Sequence, residues 1–170
     1  MDRPARPRRH TATLTEAVLG QRVRLLEDER EILRTLYQYG HALDKGPEED
    51  LLDAFVEEGV WERRRARRPG DVKRFAGREE LKVFFRDPSR GRAPDVYFQH
   101  LLVEPRISLE GDTARVRSYF VRLQEHRDGP YVYAFGTYDD TLRRCPDRRW
   151  RIVRRLAVTE DSRARQSPPP

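Results

Sequence analysis

Three side chains whose types suit proton transfer stand in two apolar segments of the sequence. Tyr39 and Asp44 lie five residues apart near the end of a predicted helix, and His100 follows much later in an apolar run. A carboxylate is costly to bury unless it has a partner, and a histidine can be that partner. Because the carboxylate stabilises the imidazolium, it makes the histidine a stronger base. These residues indicate acid/base chemistry without a metal or a cofactor.

Each of these residues also has a structural interpretation. His100 could be a core histidine with one hydrogen bond, Asp44 a turn residue, and Tyr39 a packed aromatic. A carboxylate is electrostatically unfavourable at a helix C-terminus, however, which favours a specific role for Asp44. Helical spacing also puts Tyr39 near the same face as Asp44, whereas His41 lies off that face and is expected at the surface.

The elements that must position these residues are helices followed by strands. Apolar residues at spacings of three and four predict helices at 14–44, at 48–55 and from residue 77 onward, with a polar loop at 87–94. Strands are predicted at 60–68 and 72–76 around a turn at residues 69–71, and then at about 96–108, 113–125, 130–142 and 149–158. Short connections imply antiparallel neighbours, so the predicted fold class is α+β, with a curved sheet around the leading helix.

Composition limits the domain organisation. The chain has 170 residues and 38% charged residues. We expect one domain at 14–161, between a disordered basic tail at 1–13 and a disordered proline-rich tail at 162–170. Cys145 is the single cysteine, which excludes an intramolecular disulfide. With no apolar stretch near 20 residues and no secretory signal, a cytoplasmic protein without a membrane partner is expected.

The chain is basic, with a formal net charge of +6. Acidic residues are mixed through the predicted core and no nucleic-acid-binding motif is present, so no nucleic-acid partner is expected. The arginine run at 63–68 is most simply a solvated hairpin, although an acidic carrier protein or a carboxylate-bearing substrate could dock there.

The order and spacing of several short motifs resemble the SnoaL-like branch of the nuclear transport factor 2-like superfamily, over residues 25–160. The motifs are Tyr37-x-Tyr39-x-x-x-x-Asp44-x-Gly46, Phe75-x-Gly77-x-Glu79-x-Leu81, His100, Gly111-Asp112-x-Ala114, Gly136-x-Tyr138 and Trp150-Arg151-Ile152-x-x-Arg155. The resemblance implies a conical, strongly curved mixed or antiparallel sheet wrapped around N-terminal helices. It also implies an apolar pocket at the mouth of the cone, a hydrophobic small-molecule substrate and a homodimer or homotrimer.

Within this branch the helix motif is most similar to scytalone dehydratase, bile-acid 7α-dehydratase and hexachlorocyclohexane dehydrochlorinase, which use an Asp–His dyad. The resemblance puts the dyad on Asp44 and His100, a pocket tyrosine on Tyr39 and a pocket arginine on Arg155. Strand alternation alone leaves Arg154 and Arg155 open. The second pocket histidine of scytalone dehydratase has no counterpart.

Four aromatic residues are further candidates for the substrate pocket. They are Phe98, Tyr119, Tyr133 and Tyr138. Packing elsewhere in the sheet is the alternative for each, because a strand side chain can face either the pocket or the outer surface.

The predicted function is a cofactor-free dehydratase, a lyase acting on an apolar oxygenated molecule of secondary metabolism. The same dyad could serve an isomerase or a polyketide cyclase, since all three reactions begin with proton abstraction. A non-catalytic subunit, like the β subunits of ring-hydroxylating dioxygenases, is the remaining alternative, because a fold does not fix a function. That alternative predicts separated Asp44 and His100 side chains and a filled cone.

Overall fold

The computed structural model describes residues 9–87 and 97–162, which form three helices and six strands. The helices are α1 (Arg9–Asp44), α2 (Glu48–Asp53) and α3 (Gly77–Arg86). The strands are β1 (Phe55–Arg65), β2 (Arg68–Ala76), β3 (Phe98–Glu110), β4 (Thr113–Gln124), β5 (Tyr131–Arg144) and β6 (Trp150–Ser162). The α+β fold class is confirmed.

The six strands form one mixed sheet in the order β2-β1-β6-β5-β4-β3. Neighbours pair antiparallel except β1 and β6, which run parallel. The last four strands form the meander that the turn signals predicted, because each connection between them is short. The predicted curved sheet next to N-terminal helices is therefore present.

Bulges mark the places where the sheet bends. The β3–β4 register shifts between Val103 and Arg106, where Glu104 has a positive φ of 48°. The β5–β6 register shifts beside Gly136, where a Cβ would lie 2.0 Å from the carbonyl oxygen of Val158. A bulge increases local twist, and glycine permits the close approach of two backbones. The sheet can therefore curve into a cone.

Helix α1 lays an apolar stripe against the concave face of the sheet. Ile32, Leu36 and Tyr39 on this stripe are buried at the helical spacing that the sequence predicted. Thr35 ties the helix to the sheet, because its hydroxyl donates to the Trp150 carbonyl oxygen at 2.6 Å. No helix within the described residues is both long enough and apolar enough to span a membrane.

The end of α1 is fixed by glycine. The backbone N–H of Gly46 donates to the carbonyl oxygen of His41 at 3.1 Å, and a Cβ on Gly46 would lie 2.6 Å from the Cα of Ala42. Glycine therefore suits this position, where the chain folds back on the last helical turn. Asp44 is the last residue of α1, and its position follows from this cap.

Two predicted boundaries need correction. Helix α1 begins at Arg9, so residues 9–13 are helical and not part of the expected tail, whereas residues 1–8 and 163–170 lie outside the described residues. The predicted loop after Asp87 also lies outside them. Helix α2 ends at Asp53, and Phe55 already begins β1.

The first hairpin turns earlier than predicted, at residues 66–67 and not at 69–71. Pro69 lies in β2, which is an edge strand of the sheet, where a missing backbone N–H is tolerated. Asp71 holds this register, since it pairs with both Arg63 and Arg65 across the hairpin at 3.0 Å. The proline and glycine that predicted a turn were therefore misleading.

Candidate active site

Asp44 and His100 are hydrogen-bonded to each other through two contacts. The Nδ1 nitrogen of His100 lies 2.5 Å from Oδ1 of Asp44, and the backbone N–H of His100 donates to Oδ2 at 2.8 Å. The two side chains are largely buried, at 16% and 11% exposure. Both carboxylate oxygens are thus bound to one residue, which fixes the plane of the carboxylate and the orientation of the ring.

The contact joins the end of α1 to the beginning of β3. Asp44 lies in the last turn of the helix, and His100 is the third residue of the strand. The bond from the His100 backbone explains how a carboxylate is tolerated at a helix C-terminus, where the helix dipole opposes it. The electrostatic mismatch seen in the sequence is therefore offset by a specific partner.

A cavity of about 520 Å³ opens beside the dyad histidine. Aromatic side chains form much of its wall, and the described lining includes Tyr39, Trp61, Phe75, Phe84, Phe85, Phe98, His100, Phe120, Arg122, Tyr133 and Tyr138. Aromatic side chains combined with placed polar groups are a common lining of a small-molecule site. Among the described residues, no three His, Cys, Asp or Glu side chains cluster as metal ligands would.

Tyr39 lines the cavity, with its ring between other aromatic rings. Its hydroxyl accepts a hydrogen bond from Nε1 of Trp61 at 3.1 Å. Since the tyrosine is the acceptor there, its own O–H can still donate to another oxygen. The ring packs edge-on against Phe55 and Tyr138, with centroids 5.9 and 6.4 Å away. The hydroxyl is therefore held in a defined position.

Arg155 is fully buried, but it is not among the described residues that line the cavity. Its guanidinium donates to both carboxylate oxygens of Asp140, at 2.8 and 2.7 Å, and lies against the rings of Tyr39 and Tyr138. Burial lowers the pKa of Arg155, but Asp140 more than offsets this, so the pKa lies above its ordinary value. The expected pocket arginine instead supports two aromatic residues of the pocket wall from behind.

Arg154 and Tyr119 are two further candidates for the pocket that lie elsewhere in the structure. Arg154 donates to Glu62 at 3.1 Å and is not part of the described cavity lining, so neither arginine of the pair lines the cavity. Tyr119 is 52% exposed on the outer face of β4, because its neighbours at 118 and 120 point inward. Its expected role in the pocket is therefore wrong.

The other aromatic candidates lie where they were predicted. Phe98, Tyr133 and Tyr138 all line the cavity. His41 is exposed as expected, and His126 pairs with Asp128 at 3.3 Å in the loop before β5.

Arg122 is a cavity residue that sequence reasoning missed. It lies on β4 directly opposite His100 on β3 and is only 9% exposed. Alternation along β4 was a usable signal, because residues 114, 116, 118 and 120 are small or apolar and point inward, and 122 continues the series. Three further cations, Arg63, Arg65 and Lys73, also line the cavity.

Comparisons with known proteins identify the family and the fold of this chain. The sequence model described as the SnoaL-like domain matches residues 24–156. No curated protein matches the chain.

Solved structures provide the second comparison. A nuclear transport factor 2-like protein with a cystatin-like fold from Novosphingobium aromaticivorans is 27% identical, with a TM-score of 0.74 over 84% of this chain and 88% of that one. A Catenulispora acidiphila protein, solved in complex with S-DNPA, is 26% identical, with a TM-score of 0.64 over 77% and 92%. The β subunit of a putative aromatic-ring-hydroxylating dioxygenase from Novosphingobium aromaticivorans shares the fold at 19% identity, with a TM-score of 0.64 over 82% and 92%.

The family match covers most of the chain, and it includes α1 from residue 24, the dyad and all six strands up to residue 156. This chain belongs to the SnoaL-like domain family.

Proposed function

We propose that this protein is a cofactor-free acid/base enzyme that removes a proton from an apolar, oxygenated small molecule and eliminates water from it. The observation that carries the proposal is the hydrogen-bonded pair of Asp44 and His100 at the wall of the aromatic cavity. A base at the wall of an aromatic cavity is suited to proton abstraction, because the rings can hold an apolar substrate with its C–H beside the histidine.

The dyad geometry supports a distinct role for each histidine nitrogen in this mechanism. The ionised Asp44 carboxylate accepts a hydrogen bond, so the neutral ring carries its proton on Nδ1. Nε2 is then the basic nitrogen, and it removes a proton from a carbon beside a carbonyl group. Asp44 stabilises the imidazolium that forms. The proton on His100 and the hydroxide that leaves the neighbouring carbon together make up the eliminated water.

Tyr39 supplies the hydrogen bond that such a reaction needs at oxygen. Its hydroxyl is held by Trp61 and lines the same cavity as His100. The O–H donates to the developing enolate oxygen or to the departing hydroxyl, where negative charge accumulates. Arg155 and Tyr138, behind and beside the ring, keep it in place.

Loss of the base is the direct test of the proposed reaction. The assay offers bicyclic aromatic β-hydroxy ketones and follows the ultraviolet absorbance of the conjugated enone that dehydration produces. His100→Ala should lower kcat by at least about 100-fold, the lower bound of general-base catalysis. Asp44→Asn should also lower kcat, because an amide N–H facing Nδ1 favours the tautomer with its proton on Nε2.

His41→Ala is the matched control, because His41 is exposed on the same helix that carries Asp44. It should leave turnover unchanged. If His100→Ala keeps the melting temperature of wild-type protein and turns over substrate as fast as wild-type protein does, the mechanism is ruled out.

Isomerisation and polyketide cyclisation remain alternatives within the same proposal, because both begin with the same proton abstraction. They differ in the product. Elimination lowers the mass of the product by one water, whereas isomerisation and aldol-type ring closure leave the mass unchanged. Mass spectrometry of the product therefore separates elimination from the other two reactions, and proton NMR of the product separates those two from each other.

A non-catalytic role is the second candidate, and the dioxygenase β subunit with the same fold favours it. Two features of this chain count against it. The Asp44 and His100 side chains are 2.5 Å apart, and the cone holds a cavity of about 520 Å³. A non-catalytic subunit has no requirement for either feature.

We also propose that the protein is a homo-oligomer whose sheet faces a second copy of the chain. Exposed apolar side chains gather on the outer face of β3, β4 and β5, namely Leu101, Val103, Tyr119, Val132 and Phe135. Their strand registers put them on one face. Light scattering after size-exclusion chromatography tests this, and a monomeric mass of 20.2 kDa would contradict it.

A further inference from the structure

Arg122 is a buried cation that makes no ion pair with a carboxylate among the described residues. Its guanidinium lies between two aromatic rings, 4.7 Å from the Phe98 centroid and 4.2 Å from that of Tyr133. Both rings line the cavity with it. Contacts with the faces of two rings restrict the movement of the guanidinium, whose N–H donors lie along its edge.

The donors of Arg122 are only partly used. Nη2 donates to the side-chain oxygen of Gln124 at 3.2 Å, whereas Nε is buried and has no acceptor among the described residues. The buried Arg155 of the same sheet makes two hydrogen bonds to Asp140. Burying a charge without a counter-ion is costly. Burial lowers the pKa of Arg122, with Tyr133 and Asp44 acting in the opposite direction, as expected for a desolvated cation.

The surroundings of Arg122 are electropositive. The cations Arg63, Arg65 and Lys73 also line the cavity, and Asp87 is the one carboxylate among its described lining residues. Asp71 pairs with both Arg63 and Arg65, so one negative charge serves two positive ones. A cavity lined by excess charge of one sign attracts ligands of the other sign.

We infer that Arg122 binds a carboxylate of the ligand, and that the cavity therefore takes an aromatic or polycyclic carboxylic acid. A planar carboxylate matches the fork of N–H donors on a guanidinium. The aromatic wall receives the rings of the same molecule. Because Arg122 faces His100 across the β3–β4 pair, the bound carboxylate lies beside the dyad. That this acid is the substrate rests on the proposed function, whereas its binding does not.

Isothermal titration with a matched pair of probes tests the assignment. 2-Naphthylacetic acid carries the carboxylate, and 2-naphthylacetamide is its neutral counterpart of the same shape. Wild-type protein should bind the acid about tenfold to a hundredfold more tightly than the amide, the range for a hydrogen-bonded charge. Arg122→Gln should remove this preference and leave the affinity for the amide nearly unchanged.

A control variant locates the effect. Arg117→Gln changes an exposed arginine on the outer face of the same strand and should keep the preference for the acid. If Arg122→Gln does not fold by circular dichroism, Arg122→Lys replaces it and should reduce the preference without removing it, because lysine keeps the charge and loses the fork.

Equal affinity for the two probes in the wild-type protein, including no measurable binding of either, would overturn the inference. A preference for the acid that survives in Arg122→Gln would also overturn it and would point to the other cations of the lining. A wrong reaction with a correct binding assignment gives a different result: His100→Ala leaves turnover unchanged, whereas wild-type protein still binds the acid more tightly than the amide.

Discussion

Removing the charge of Asp140 should destabilise the protein strongly. Asp140 and Arg155 are both fully buried and share two hydrogen bonds. Asp140→Asn leaves the arginine charge buried without a counter-ion, which typically costs about 3–5 kcal/mol. At about 2–4 °C per kcal/mol for a chain of this size, the melting temperature should fall by roughly 6–20 °C.

The neighbouring residue provides a matched control. Asp139 lies one position away on β5, faces outward and pairs with Arg117 at 3.5 Å, with both side chains well exposed. Asp139→Asn should cost less than about 1 kcal/mol, because an exposed ion pair contributes little.

Differential scanning calorimetry measures both single variants and the double variant Asp140→Asn, Arg155→Met. Because the double variant removes both charges, it should be less destabilised than Asp140→Asn alone. Equal losses of melting temperature for Asp139→Asn and Asp140→Asn would refute the reasoning that the Asp140–Arg155 pair holds the wall of the pocket.

Three further predictions concern Gly136 of the sheet, Asp53 at the end of α2 and Tyr39 of the candidate site. Gly136→Ala should lower the melting temperature, because its Cβ would meet the Val158 carbonyl oxygen at 2.0 Å, and thermal unfolding followed by circular dichroism checks this. Burial raises the pKa of Asp53, but hydrogen bonds from Arg151 and Arg149 more than offset this and hold it below its ordinary value. The melting temperature of wild-type protein should therefore exceed that of Asp53→Asn by its full margin at pH 7. The margin should shrink as the pH falls below about 4, in thermal melts recorded across that range. Tyr39→Phe should lower kcat more than it raises KM in steady-state kinetics, because it removes a hydrogen bond made to developing charge; an unchanged kcat would remove Tyr39 from the mechanism.

The sequence predicted the element order well, because its turns and helix ends are marked by local chemistry. Gly46 and Pro47 ended α1, and the turns after residues 110, 128 and 145 separated the strands of the meander. The first hairpin was misplaced, since Pro69 and Gly70 are tolerated in an edge strand and the register depends on Asp71. Such a tertiary contact is not visible in a local pattern.

The contact between Asp44 and His100 was predicted mainly through the family resemblance, and the carboxylate at a helix C-terminus was the local signal that supported it. Arg155 was harder to place, since β6 has partners on both sides and alternation does not distinguish a pocket from a buried layer behind it. Its partner Asp140 lies on the neighbouring strand, and only the register brings the two together. Arg122 was missed because an arginine in a strand is usually solvent-exposed, although the alternation along β4 marks it as inward-facing.

In the proposed mechanism His100, held by Asp44, removes a proton from carbon. Proton NMR in D₂O measures this step for elimination, isomerisation and cyclisation alike, since each should exchange the acidic C–H of a bound β-hydroxy ketone for deuterium. Exchange should be rapid with wild-type protein and with His41→Ala, and at least about 100-fold slower with His100→Ala. Equal exchange rates for wild-type protein and His100→Ala would contradict this mechanism.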